Sequence, residues 1–159
     1  MKTVTLFITI LLNALATGFF FAWSVSVIVG TKKIGDFTYL ETMQSINKEI
    51  LNPLFFVVFF GSLITLFFSA ILQYNDKSLF WFIGIATAVY LLGTFGVTAF
   101  GNVPLNNELE ALHLEELSTY ELESFRNYYE SKWNQWHSIR TVSSVTSFVF
   151  LIIGILYSR

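Results

Sequence analysis

PLFFVVFFGSLITLFFSAILQY, residues 53–74, runs its whole length without an Asp, Glu, Lys or Arg. At 1.5 Å per residue a helix of that length covers about 30 Å, the thickness of a bilayer's hydrocarbon core. Working outward, three further segments share the pattern: residues 4–29, 79–100 and 141–157, none with a charged side chain in its interior. A segment in lipid must satisfy its own backbone hydrogen bonds, and the alternating ten-residue strands of a membrane barrel are absent. The expected fold is therefore all-α: a four-helix transmembrane bundle, as a single domain over residues 1–159.

Composition agrees. Of the 159 residues 54% are hydrophobic and 13% charged, with mean hydropathy +0.61, whereas soluble domains carry about 25% charge. The lipid bilayer is the partner such a surface requires. There is no cysteine, so disulfides, thiolate metal sites and a cysteine nucleophile are excluded. A net charge of −2 provides no basic stripe for nucleic acid. The first segment has signal-peptide features, Lys2 and Ala14-Leu15-Ala16. Its apolar run continues through Phe19-Phe20-Phe21-Ala22-Trp23, too far for an h-region, so a retained helix is expected.

The connections are organised. Thr38-Tyr39-Leu40-Glu41 reads as a capping box opening a short helix, and Asn52-Pro53 as an N-cap with proline at the first helical position. Residues 75–78 make a tight turn. Pro104 is expected to end the third segment and residues 105–117 to form an acidic amphipathic helix. Ser118-Thr119-Tyr120-Glu121 is a second capping box. From it Leu122, Phe125, Tyr129, Trp133, Trp136 and Arg140 keep one helical face. The fourth helix is thus expected to begin outside the membrane and run from about residue 119 to 157, roughly 60 Å.

Both large connections fall on one side of the membrane and both termini on the other. Lys2, Lys77 and Arg159 lie on the terminal side; the other cations share the loop side with every acidic residue but Asp76. The raw cation count points the loops to the cytoplasm. The weighting of short loops and flanks points the termini there, and cytoplasmic termini in a plasma membrane are the expectation.

The loop-side boundary collects unusual polar residues: Gln44, Asn47, Asn52, Asn102, Asn106, Asn107, Trp133, Trp136, His137 and Arg140. Each has an ordinary explanation. Tryptophans anchor at interfaces, arginines snorkel to headgroups, and asparagines cap helices. Their coincidence at one mouth raises the alternative of a binding site. Glu110-x-x-His113 has the spacing of half a di-iron motif but occurs once, on an acidic face, and reads as solvated. No HExxH, phosphate loop or nucleophile elbow occurs, the sequence indicates no cofactor, and the spans lack the buried charges of an ion-coupled transporter.

Gly18-Phe19-Phe20-Phe21-Ala22-Trp23-Ser24-Val25-Ser26-Val27, Met43-Gln44-Ser45-Ile46-Asn47 before Asn52-Pro53, Val97-Thr98 with Asn102-Val103-Pro104-Leu105-Asn106-Asn107, and Trp133-Asn134-Gln135-Trp136-His137-Ser138-Ile139-Arg140-Thr141 follow one another along the chain. In this order they resemble the anthrone oxygenase family of small four-helix membrane proteins. The resemblance implies the four-span fold. It also implies, for relatives tied to polyketide pathways, oxidation of an anthrone to an anthraquinone by dioxygen without a known cofactor. The positions it carries over are Asn47, Asn102, Asn106, Trp133, Trp136 and Arg140. His137 stands where the family pattern usually has Asn.

Three functions stay open on the sequence. In the first, His137 is the base that forms a carbanion, Arg140 and the asparagines stabilise its oxygen, and Trp133 and Trp136 stack on the rings. The second is a non-catalytic protein binding a lipid, a quinone-like hydrophobic small molecule or a partner subunit at the same mouth. The third is a plain structural bundle. A homo-oligomer is compatible with any of them, and no metal ligand set is expected.

Overall fold

A computed structural model describes residues 2–158 as five helices and no strand among those residues; Arg159 lies outside them. Helix α1 spans Lys2–Thr31, α2 Asp36–Glu49, α3 Pro53–Leu72, α4 Lys77–Glu110 and α5 Thr119–Tyr157. All but α2 are long and apolar enough to cross a membrane. They form an up-down-up-down square in which α1 packs on α3 and α5, and α4 on the same two.

The bundle is apolar on its outside as well as in its core, where Ala16, Leu66, Ile83, Tyr90 and Leu151 meet. Leu54, Phe7, Phe67, Leu92 and Val142 point outward, while hydroxyls and amides point in. Thr9 bonds Ser69 at 2.7 Å, Thr17 bonds Ser144 at 2.9 Å, Ser147 donates to the Ala86 carbonyl at 2.8 Å, and Tyr90 donates to the Phe59 carbonyl. Lipid offers no hydrophobic force between helices, so such bonds and close packing hold them together. At Gly154 an added Cβ would lie 2.5 Å from that of Phe82, and at Gly101 2.7 Å from the Trp136 ring. Side chains larger than hydrogen would push α4 and α5 apart there.

The caps that the sequence marks at Asn52 and Ser118 are present. Asn52 Oδ1 accepts from the Phe55 amide at 3.0 Å. Ser118 accepts from the Glu121 amide while Glu121 accepts from the Ser118 amide and hydroxyl. From Ser118 a single 39-residue helix runs to Tyr157, about 58 Å.

Four expectations need correction. The first connecting helix opens at Asp36 after an extended Gly35, not at Thr38, and Thr38 and Glu41 lie inside it. Pro104 does not end α4. Widened turns at Tyr90–Gly96 and Thr98–Asn102 precede it, with the Val103 amide reaching back to the Thr98 carbonyl, so the missing proline N–H is absorbed without a break. Residues 105–117 are not one helix. Gln44 donates to the carbonyls of Leu109 and Leu112 at 2.8 and 3.1 Å, closing α4 at its C-terminus, and the chain continues as a short 3₁₀ turn at Leu114–Glu116. Trp136 is not on the shared face of α5. The buried stripe is Arg126, Tyr129, Trp133, His137 and Arg140.

Above the span level α2 and the end of α4 pack on the first half of α5 through Tyr39, Leu40, Met43, Leu105, Leu109, Leu114, Tyr129 and Trp133. Arg126 pins this cap. Its guanidinium bonds Asp36 at 2.9 Å, Glu130 at 3.0 Å and the carbonyls of Ile34 and Thr31, and lies 4.6 Å over the Tyr39 ring. Burial, then the Glu130 carboxylate and Tyr129, push the Tyr39 pKa up against the pull of Arg126, so the phenol beneath the cation stays protonated.

Candidate functional site

The buried stripe of α5 keeps side chains at three- and four-residue steps on one face, so its rings stack along the helix. Trp133 lies parallel to His137, 7° apart with centroids at 5.1 Å, and Trp23 of α1 tilts over both. Three asparagines fasten the stripe. Asn106 Oδ1 accepts from Trp133 Nε1 at 2.8 Å and from the Tyr129 hydroxyl at 3.2 Å. Asn47 donates to that hydroxyl, and Asn102 Nδ2 donates to the Trp133 carbonyl at 3.1 Å. Asn47 thus ties α2 to α5, and Asn102 and Asn106, one turn apart, tie α4 to it.

Between them is a cavity of about 330 Å³, at the small end of ligand sites. Its walls include Phe20 and Trp23 from α1, Phe55 from α3, Thr98 from α4, and six residues singled out in the sequence: Asn47, Asn102, Asn106, Asn107, Trp133 and Arg140. Toward the loops it reaches Lys48 and Glu110, which form an ion pair at 2.9 Å. The widened turns of α1 and α4 contribute Trp23 and Thr98 with Asn102, respectively. Such turns recur at functional sites.

Arg140 is 8% exposed and faces this cavity. Its Nε and Nη2 donate to His137 Nδ1 at 3.1 and 2.9 Å, and its guanidinium carbon lies 4.9 Å from the Phe20 ring and 5.0 Å from that of Trp133. Among the described residues the ion pairs are Lys48–Glu110, Arg126–Asp36 and Arg126–Glu130; no carboxylate reaches Arg140. A buried cation supported only by ring faces and one imidazole lone pair is incompletely compensated. Beside it Asn102 is 1% exposed and its Oδ1 accepts no bond. A cation short of partners on the cavity lining suits an anionic oxygen, and the Asn102 amide oxygen is left without a protein donor.

His137 does not take the place expected of a base. It is fully buried and absent from the cavity wall. Because a guanidinium only donates, Nδ1 must accept, which places the hydrogen on Nε2, facing the Phe20 carbonyl at 3.2 Å and the Ser24 hydroxyl at 2.9 Å. Neither nitrogen is left for a ligand; the imidazole orients Arg140. Trp136 is also outside the cavity, half-exposed over Gly101. His113 is exposed beside Glu110, Glu115 and Glu116 on a polar surface groove, and no three His, Asp or Glu side chains among the described residues could jointly hold a metal.

Phe20 and Trp23 on the cavity lining and Ser24 on His137 stand in the first-span motif but were not among the expected site residues. The available signal was a Trp-Ser pair inside an otherwise apolar run. A family model described as anthrone oxygenase matches residues 43–150, from α2 through most of α5. No curated protein and no solved structure matches the chain.

Proposed function

Since the chain belongs to the anthrone oxygenase family, we propose that its cavity binds a planar aromatic ketone as the enolate and lets dioxygen oxidise it there. The observation that carries this is the guanidinium of Arg140, which no carboxylate reaches, on a cavity lining rich in aromatic rings and asparagines whose one carboxylate, Glu110, is paired with Lys48. An enolate oxygen on Arg140 is stabilised electrostatically where charge develops, with Asn102 holding a neighbouring hydroxyl and Trp23 and Trp133 against the rings.

In an anthrone the reacting carbon is a CH₂ between two aryl rings. Loss of one proton gives the enolate, and dioxygen forms a C–O bond at that carbon. The peroxide takes up a proton, and loss of the second C–H proton breaks the O–O bond, leaving a carbonyl and releasing water. One dioxygen is consumed per ring oxidised. The protons lost from carbon equal those taken up by the peroxide and the departing hydroxide, and Glu110, the carboxylate of the lining, is the group suited to take and return them. The proposal keeps the termini in the cytoplasm of a plasma membrane and the site on its outer side.

The test is anthrone oxidation in vesicles containing the purified protein, followed by quinone absorbance and oxygen uptake. Oxidation faster than in protein-free vesicles, falling about 100-fold in Arg140→Gln, is the expected result. Equal rates with and without protein defeat the reaction. A second reading, binding of an acidic ring compound without turnover, is favoured by the engagement of both His137 nitrogens. It predicts tight binding of an enolate mimic with no oxygen uptake.

A further inference from the structure

Resting on that reading of the cavity, we infer that its ligand is a membrane-resident amphiphile whose hydrocarbon chain lies in a groove between α1 and α3. The groove is lined by Ala14, Leu15, Gly18, Leu54 and Val58, among others, and shares Phe19, Phe20, Ile50 and Phe55 with the cavity. The two spaces therefore adjoin across these side chains, one with a cationic lining and the other apolar. Leu15 is 50% and Leu54 74% exposed, so the apolar end faces outward among side chains that lipid must cover. Gly18 is exposed in the groove, and a Cβ built there meets nothing within 4 Å. Phe19 and Phe55, with ring centroids 5.8 Å apart, stand where the two spaces meet. The opposite, aqueous end carries the Lys48–Glu110 ion pair. On this inference the ligand enters laterally from the bilayer.

A chain moving from lipid into this groove gains little by hydrophobicity, because acyl chains are as apolar as its walls. The groove supplies a route and a seat for a substituent that the cavity of about 330 Å³ cannot itself contain. The ligand class is thus an acidic ring compound with a linear acyl or isoprenoid chain, dissolved in the membrane. The ring head binds Arg140 and Asn102, and the chain returns to the lipid past Gly18.

The experiment uses a hydroxynaphthoquinone, an unreactive enolate mimic, with and without a dodecyl chain. Each is incorporated at equal mole fraction in vesicles containing the full-length protein, and equilibrium binding is read from tryptophan quenching. A series Gly18→Ala, Gly18→Leu and Gly18→Trp fills the groove progressively, with thermal unfolding checked for each. Affinity for the chain-bearing compound is expected to fall stepwise, at least tenfold at Trp, while the chainless compound binds all variants within twofold of the unsubstituted protein. Unchanged binding of both compounds in Gly18→Trp overturns the inference, because the chain then lies elsewhere. An equal loss for both also overturns it, because Gly18 then borders the ring site. Arg140→Gln separates the premise from the inference. Loss of both compounds there supports the cationic cavity, and unchanged binding of both defeats the cavity reading whatever Gly18 shows.

Discussion

Arg126 and Arg140 sit fourteen residues apart on one face of one helix, about four turns, and nearly everything about their surroundings differs. Arg126 has two carboxylates and two backbone carbonyls and lies over the Tyr39 ring. Arg140 has one imidazole nitrogen, two ring faces and a cavity. Exposure does not separate them, at 9% and 8%. Their partners do. A cation that makes four hydrogen bonds within the protein, two of them to carboxylates, joins elements together, and one whose partners are too few is set for a ligand. The same contrast runs through the two ends of the bundle: the cap is closed by matched charges, and the span level by neutral hydroxyls around one unmatched charge.

If the contrast holds, the largest effect on stability comes from the cap. Arg126→Gln leaves Asp36 and Glu130 facing each other beside the orphaned carbonyls of Ile34 and Thr31. Breaking a buried ion pair costs about 3–5 kcal/mol, and the partial exposure of both carboxylates puts this case near about 3 kcal/mol. Unfolding in detergent should show that loss, and the folded fraction should bind the hydroxynaphthoquinone as before. A variant that stays stable but loses the ligand would erase the distinction between the two arginines.

A smaller effect tests what holds Arg140. His137→Leu removes the acceptor for two of its donors, and a charge-assisted bond of about 1.4 kcal/mol corresponds to roughly tenfold in ligand affinity. His137→Asn supplies an amide oxygen that can accept in its place and should bind within about threefold of the unsubstituted protein. If oxidation occurs, its rate should follow the same order. A general base would give the opposite pattern, with both variants equally dead, so Asn rescue in turnover is the decisive readout.

The spans were legible because lipid imposes a simple rule, charge-free runs of sufficient length, and residues 53–74 satisfy it with no help from packing. Asn52 and Ser118 were legible because caps are local. The site was half legible. Asn47, Asn102, Asn106, Trp133 and Arg140 were gathered by their nearness to one boundary, and they do line one cavity. Trp136 and His137 were grouped with them by the same argument and lie outside the cavity, because one residue on a helix is about 100° of rotation. Phe20 and Trp23 stood in the first-span motif without being assigned to the site, because nothing in an apolar run says which of its rings faces inward. The widened turn that carries Asn102 lies just before Pro104, but a proline alone does not say whether a helix ends or widens, and the turn at Trp23 has no such marker.

Tyr129 lies between the two arginines on the stripe and carries the subtlest test of how separate the two regions are. It belongs to the cap by its stacking on Phe125 and its edge contact with Tyr39, and to the site by its hydroxyl, which donates to Asn106 and accepts from Asn47. Tyr129→Phe keeps the ring and deletes the bridge. Asn106 retains its bond from Trp133, but Asn47 loses the one it makes to the hydroxyl, so the cost should be about 1 kcal/mol or less. Loss on the stability axis alone would assign the hydroxyl to the cap, and loss on the affinity axis alone to the cavity. The geometry predicts a small loss on both, since Asn106 positions Trp133 on the cavity wall while Asn47 ties α2 to α5. In a double variant with Arg126→Gln the stability losses should exceed their sum only if the cap and cavity share one network. The different partners of the two arginines argue for additivity within about 0.5 kcal/mol.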